Sequence, residues 1–196
     1  MPSIDRQATF SGTKEVAGAL AIDAARLEAF LAARLPDFAG PLSVRQFKGG
    51  QSNPTYLLET PARRYVLRRK PPGKLLPSAH AVDREFRVIS ALYARGFPVA
   101  APLVYCDDAA IAGTPFYLMG HVEGRVVWEP HMPDAEPRER ATVYDAMNAT
   151  LARLHRFDPT AIGLADFGRG ENYVARQVDR WSKQYRASET EKVDDM

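Results

Sequence analysis

Phe47-Lys48-Gly49-Gly50-Gln51-Ser52-Asn53-Pro54-Thr55-Tyr56-Leu57-Leu58 reads as a strand, a tight glycine turn and a second strand. Apolar and polar residues alternate loosely on either side of the turn, and paired glycines admit backbone geometries that a side chain blocks. A phosphate group can approach such a turn closely. Taken alone, a glycine pair more often makes an ordinary hairpin, so the flanking sequence decides between the two readings.

Downstream of a break at Pro61, Arg64-Tyr65-Val66-Leu67-Arg68-Arg69-Lys70 has the β-branched and aromatic content of a strand and closes at Pro71-Pro72-Gly73. Period two puts Val66, Arg68 and Lys70 on one face. An apolar residue beside a fixed cation suits a nucleotide, one touching the base and the other offsetting phosphate charge. A helix is expected from Ser78, as N-cap, to Arg95, with Gly96 as its stop and an apolar stripe of Val82, Phe86, Ile89, Leu92 and Tyr93. Glu85 lies beside that stripe. A carboxylate there needs a cationic partner, and Arg68 is the one expected. The bland alternative is a lobe-stabilising surface pair.

Further outward, Asp23 caps an expected helix from Ala24 to Leu35, whose Leu27, Phe30, Leu31 and Leu35 make one face. Pro98 to Asp107 and Thr114 to Val122 read as two more strands around a turn at Asp108 to Gly113, completing a five-stranded antiparallel sheet. Arg138 to Phe157 reads as a long helix with Tyr144, Met147, Leu151 and Leu154 inward. His155, on its apolar side, is expected to be packed rather than to serve as a base. A last helix from Tyr173 to Arg186 carries Val174, Val178, Trp181 and Tyr185 on one stripe, and Ala187 to Met196 reads as a frayed tail.

With these stretches in order, the chain resembles the aminoglycoside phosphotransferase-like (choline-kinase-like) superfamily, and within it the phosphotransferase domain associated with acyl-CoA dehydrogenases. The likeness rests on Gly49 to Tyr56, Tyr65 to Gly73, Ala79-His80, Arg84 to Ile89, Phe116 to Met119, Leu151 to His155, and Gly163-Leu164 through Tyr185. The resemblance implies an α+β fold: a protein-kinase-like small lobe, with its five-stranded sheet and helix, followed by the first helices of a helical large lobe. The segments expected are a flexible opening over 1–21, a nucleotide-binding lobe over 22–122, a connection over 123–136 and the beginning of the large lobe over 137–196.

Carried over by position, the resemblance makes Gly49, Gly50, Gln51, Ser52 and Asn53 the phosphate-covering turn. It makes Arg68 the phosphate cation, Glu85 its helix partner, and Val66 a base contact. Lys70 stays a rival for the phosphate. Met119, Gly120, His121 and Val122 become the hinge whose backbone reads the adenine edge. The implied cofactors are ATP and magnesium, and the implied acceptor is a small-molecule hydroxyl, with a hydroxyacyl-CoA suggested by the dehydrogenase association and antibiotic modification the weaker guess.

Catalytic residues are not found. Such enzymes use an aspartate in a His-Gly-Asp loop and a later aspartate for the metal, whereas the four histidines here are followed by Ala81, Val122, Met132 and Arg156. Asp166-Phe167-Gly168 spells a metal motif of protein kinases but follows directly on the Leu151 to His155 helix, so it is read as a turn or cap. Metal ligands are therefore expected beyond this stretch, in line with a chain that stops inside the large lobe and is inactive alone. The alternatives are a non-catalytic nucleotide-binding or partner-binding module, or half of a split enzyme whose second chain docks on Val174, Val178, Trp181 and Tyr185.

Composition sets the remaining bounds. A net charge of +2 carries no global signature of nucleic-acid or anionic-membrane binding. The Arg63, Arg64, Arg68, Arg69, Lys70 and Lys74 cluster is set among strand-forming residues with few aromatics for base stacking, so a nucleic-acid patch is the minor reading. One cysteine, Cys106, excludes an intramolecular disulfide and suits a reducing cytoplasm. No apolar run is long enough to span a bilayer, His121 and His131 lack partners at metal spacing, and no P-loop, nucleophile elbow or zinc motif occurs.

Overall fold

The computed structural model describes residues 5–49, 52–73, 80–168 and 170–191. Their contacts divide the chain into two units, 1–158 and 159–196.

The first unit is built on one antiparallel sheet in the order β1-β2-β3-β4-β6-β5. Its strands are β1 (Thr13–Lys14), β2 (Ser43–Phe47), β3 (Thr55–Glu59), β4 (Arg64–Arg69), β5 (Pro102–Cys106) and β6 (Phe116–Gly120). All five expected strands occur. The count of five is corrected to six, because Thr13 and Lys14 pair with Phe47 and Gln46. Two residues with no apolar alternation give no strand signal, and this pairing exists only because β2 offers a free edge. The opening that was read as mobile also contains α1 (Arg6–Phe10), whose Asp5 cap accepts from the Ala8 N–H at 3.0 Å.

Register assigns the two faces of the sheet. Tyr56, Leu67 and Leu118 are partners across β3, β4 and β6, and with Leu58 and Tyr65 they point to one side. There they meet Leu27 and Leu31 of α2 (Ala24–Arg34), both fully buried, with Phe30 and Leu35 packed at the margin. Asp23 caps α2 as expected, accepting from the Arg26 N–H at 3.0 Å. Arg69 points to the same side and is 1% exposed. Its guanidinium lies 5.3 Å over the Tyr56 ring and donates to the carbonyls of Ala112 and Ala19. Those carbonyls end α4 (Ala109–Ala112) and belong to the 3-10 turn Gly18–Leu20, so a buried cation closes two helical C-termini. The segment Asp108 to Gly113, read as a turn, is thus a short capped helix.

On the opposite side, Thr55, Arg68 and Tyr117 are register partners, as are Leu57, Val66 and Met119. This face is covered in part by α3 (Val82–Tyr93), whose Phe86 ring sits 6.0 Å from Tyr105 and 5.8 Å from Tyr117. The helix was expected from Ser78. It starts at Val82 with Ala81 as a cap that lacks a side-chain bond, and Ser78 lies outside the described residues. Of the expected stripe, Val82 and Leu92 are buried, whereas Tyr93 is exposed.

The long helix is α5 (Pro137–His155), and α6 (Tyr173–Ser188) belongs to the second unit. Tyr144, Met147, Leu151 and Leu154 were expected inward and are exposed, as is His155. Helical spacing selects a face, but burial needs a partner, and no described residue of the first unit covers this one. Val174, Val178, Trp181 and Tyr185 likewise share a stripe that is exposed. Asp166 to Gly168 lies in a turn in which the Phe167 N–H donates to the Leu164 carbonyl at 2.9 Å. Among the described residues, no helix is long and apolar enough to cross a membrane.

Candidate nucleotide site

The sheet face shared by Thr55, Arg68 and Tyr117 carries a polar constellation centred on Glu85. Arg68 projects from β4 and donates from Nε to Glu85 Oε2 at 2.6 Å and from Nη2 to Oε1 at 3.4 Å. Its Nη1 donates to Thr55 Oγ1 at 3.2 Å. The expected cation–carboxylate pair therefore forms, with the Arg68 side chain 27% and the Glu85 side chain 35% exposed.

Two further donors reach the same carboxylate. Asn53 Nδ2 donates to Glu85 Oε1 at 2.9 Å, and the Tyr117 hydroxyl donates to Oε2 at 3.1 Å. Burial, and secondarily the Glu85 charge, push the Tyr117 phenol well above its ordinary value. The neutral phenol is thus a permanent donor at any ordinary pH. Glu85 is held by one cation and two neutral donors, which fixes its orientation and that of Arg68 with it.

Asn53 occupies a place that its position in the turn did not foretell. It is 2% exposed, and its Oδ1 lies 2.7 Å from His80 Nδ1. With Nδ2 on a carboxylate, Oδ1 must accept, so His80 carries its proton on Nδ1. Both ends of the amide are spent inside the protein. His80, Thr55 and Tyr117 were not singled out for the site. The register Thr55↔Arg68↔Tyr117 would have pointed to two of them, but register is not visible in a single strand. His80 has a backbone φ of 57°, a left-handed geometry with no unique sequence signal.

The turn itself is described at Gly49 and from Ser52 onward; Gly50 and Gln51 lie outside the described residues. A Cβ at Gly49 would stand 2.8 Å from the Trp128 indole, so the protein's own ring occupies the space that glycine leaves. On the proposed hinge, the Gly120 N–H donates to the Ala101 carbonyl at 2.8 Å and the His121 N–H to Arg64 at 3.3 Å. Two of the backbone donors expected to read a base edge are thus spent within the sheet. Val122 is exposed, and Met119 pairs with Val66 in register. Arg63 pairs with Asp37 at 3.5 Å and Arg64 with Glu123, so these two members of the basic cluster are held in ion pairs.

The donor set fits a phosphate. A guanidinium offers five N–H groups; Arg68 commits three to Glu85 and Thr55 and keeps two that no described residue accepts. Its position is already fixed, so little ordering remains to be done when an anion binds. Among the described residues no group of three potential metal ligands exists.

The model of the family described as "Phosphotransferase enzyme family" matches residues 43–196. Acyl-CoA dehydrogenase family member 11 of Gallus gallus is 49% identical over 181 residues, covering 90% of this chain and 23% of that protein. Acyl-CoA dehydrogenase family member 10 of Mus musculus is 46% identical over 182 residues, covering 92% of this chain and 17% of that protein. A crystal structure from Ralstonia eutropha, described as a candidate aminoglycoside phosphotransferase, superimposes with a TM-score of 0.74 at 46% identity, covering 88% of this chain and 50% of that one. The chain spans about a quarter or less of these curated relatives and half of the solved protein.

Proposed function

The chain belongs to the phosphotransferase enzyme family, and from that premise we propose that it forms the nucleotide-binding part of an ATP-dependent phosphotransferase acting on a small-molecule hydroxyl group. One observation carries the reading: Arg68 is fixed by Glu85 and Thr55, its side chain still 27% exposed, with two donors to spare. Magnesium-ATP, when bound, supplies the phosphoryl group and neutralises its charge. The chain's own contribution is to hold phosphate oxygens with Arg68, to keep Arg68 in place through Glu85, and to offer a base the part-exposed Met119, beside the buried Val66. Positioning and electrostatics of this kind supply most of the catalysis in phosphoryl transfer.

The printed names of the curated relatives support an acyl thioester bearing a hydroxyl group as the acceptor. A single buried thiol, Cys106, supports a reducing cytoplasmic setting. Because no His-Gly-Asp occurs in the 196 residues, this polypeptide alone is expected to bind nucleotide without turning it over.

Calorimetric titration of the purified chain with magnesium-ATP, beside Arg68→Ala, tests the proposal. Loss of the charge-assisted bonds is expected to weaken binding about tenfold or more. A folded parent that binds no nucleotide overturns the reading.

A second reading is favoured by the exposure of Val174, Val178, Trp181 and Tyr185 on α6. In it, the chain is a binding module or half of a split enzyme and recruits a polypeptide that carries a His-Gly-Asp loop. Co-purification with such a chain, lost on Trp181→Ala, supports it; failure to associate when the two are co-expressed removes it.

A further inference from the structure

The opening segment and the stretch around Trp128 meet at the glycine turn. The Gln7 side-chain amide bridges two backbone groups there, donating from Nε2 to the Val126 carbonyl at 3.0 Å and accepting from the Trp128 N–H at 3.4 Å. Trp128 Nε1 donates to Ser11 Oγ at 3.1 Å, and the Phe10 ring centroid is 5.3 Å from the indole. The indole lies on Gly49, where a Cβ would stand 2.8 Å from one ring carbon and 2.9 Å from the next. Lys48, the neighbouring residue, donates its N–H to the Gly12 carbonyl at 3.1 Å, and Phe47 pairs with Thr13. Phe47 and Lys48 are therefore held by the opening segment directly, and Gly49 is backed by Trp128, which that segment holds in turn.

These contacts explain a glycine that backbone geometry does not require. Gly49 has no positive φ, unlike six other glycines. What excludes a side chain is the indole face.

We infer that Trp128 is a positioning residue for the nucleotide site, and that residues 7–14 and Trp128 together form a clamp that holds Lys48 and Gly49 where the chain leaves β2. The inference rests on the function proposed above. A Gly49 held in one conformation loses less freedom when a phosphate binds, so the clamp raises affinity without touching the ligand. It also ties the turn to the connection that follows the sheet, so a displacement at 126–128 is transmitted to Gly49.

Two measurements on the full chain test this with Trp128→Ala, Trp128→Phe and Gly49→Ala. The first, without ligand, is hydrogen exchange at the Lys48 amide, with the Leu67 amide of β4 reporting global stability. Trp128→Ala and Gly49→Ala are expected to speed Lys48 exchange about tenfold or more while leaving Leu67 unchanged. Trp128→Phe removes the outer ring carbons that lie on Gly49 and the Nε1–H donor to Ser11 while keeping an aromatic side chain, and is expected to speed Lys48 exchange less than Trp128→Ala does. Unaltered Lys48 exchange, or acceleration of both amides alike, overturns the clamp.

The second is magnesium-ATP affinity, expected to fall about fivefold in the two alanine variants and by less in Trp128→Phe. Parent binding that Trp128→Ala leaves unchanged overturns the positioning role and leaves the function standing. A parent that binds no magnesium-ATP overturns the function, and the positioning role with it.

Discussion

At the scale of single residues, Glu85 decides how the site is wired. Four side-chain atoms converge on its two oxygens: Nε and Nη2 of Arg68, Nδ2 of Asn53 and the hydroxyl of Tyr117. Replacing Asn53 by Asp sets a second carboxylate in place of the amide nitrogen 2.9 Å from Glu85. The substitution is expected to cost about 1–3 kcal/mol in chemical denaturation. Asn53→Ala is expected to cost less than Asn53→Asp, since it adds no like charge. Tyr117 makes a pH-dependent prediction. Its phenol pKa is raised above 10.0, mainly by burial. The folded state thus holds the proton more tightly than the unfolded one, and the corresponding stability is present below pH 10 and is lost as pH rises through the tyrosine range. Thermal melts of Tyr117→Phe are expected to fall less steeply above pH 10 than those of the parent; equal slopes would contradict the assignment. Arg68 and Glu85 were legible in the sequence because strand and helix periodicity place them on facing sides. Asn53 was legible as a turn residue only, since its amide partners come from elements 27 and 32 residues away.

At the scale of elements, the same apolar spacing has opposite outcomes in α2 and α5. Leu27 and Leu31 are fully buried against the sheet, whereas Met147 is 59% and Leu151 51% exposed. Leu27→Ala is accordingly expected to cost about 2–5 kcal/mol, and Met147→Ala less than about 0.5 kcal/mol. Urea unfolding of the two variants compares them directly, and a comparable loss in both would mean that the α5 face is covered in solution. Element identity was largely legible: β2 to β6, α2, α3, α5 and α6 follow from alternation, helical spacing and the Asp23 cap, and α5 starts one residue before the expected Arg138, at Pro137. Two-residue β1 and four-residue α4 were not, because elements that short are held by their neighbours and not by their own pattern. The same is true of Arg69, read as part of a basic cluster and found sealed between Tyr56 and two terminal carbonyls.

At the scale of the whole molecule, the ordered Arg68–Glu85 constellation proposed to hold phosphate occurs in a sequence without a His-Gly-Asp motif. The purified polypeptide is expected to release no detectable phosphate from ATP and to transfer none to a hydroxylated acyl thioester. A sensitive radiolabel assay checks this, and turnover that is abolished by Arg68→Ala would show that the described residues suffice for chemistry.

What the sequence by itself determined is local and periodic. Alternation selected the strands, spacing selected helix faces, glycine and proline marked the breaks, and the ordered motifs pointed to the phosphotransferase family. Those signals lie within about a dozen residues of one another, and a single chain carries them without its fold. Tertiary structure alone decided which strands are neighbours, which helical stripe is covered, that the opening segment completes the sheet, and that Gly49 is glycine because Trp128 lies on it. The deciding partners are distant in sequence, as with Thr13 and Phe47, Arg68 and Tyr117, and Gly49 and Trp128, and no local pattern encodes which distant residue will arrive.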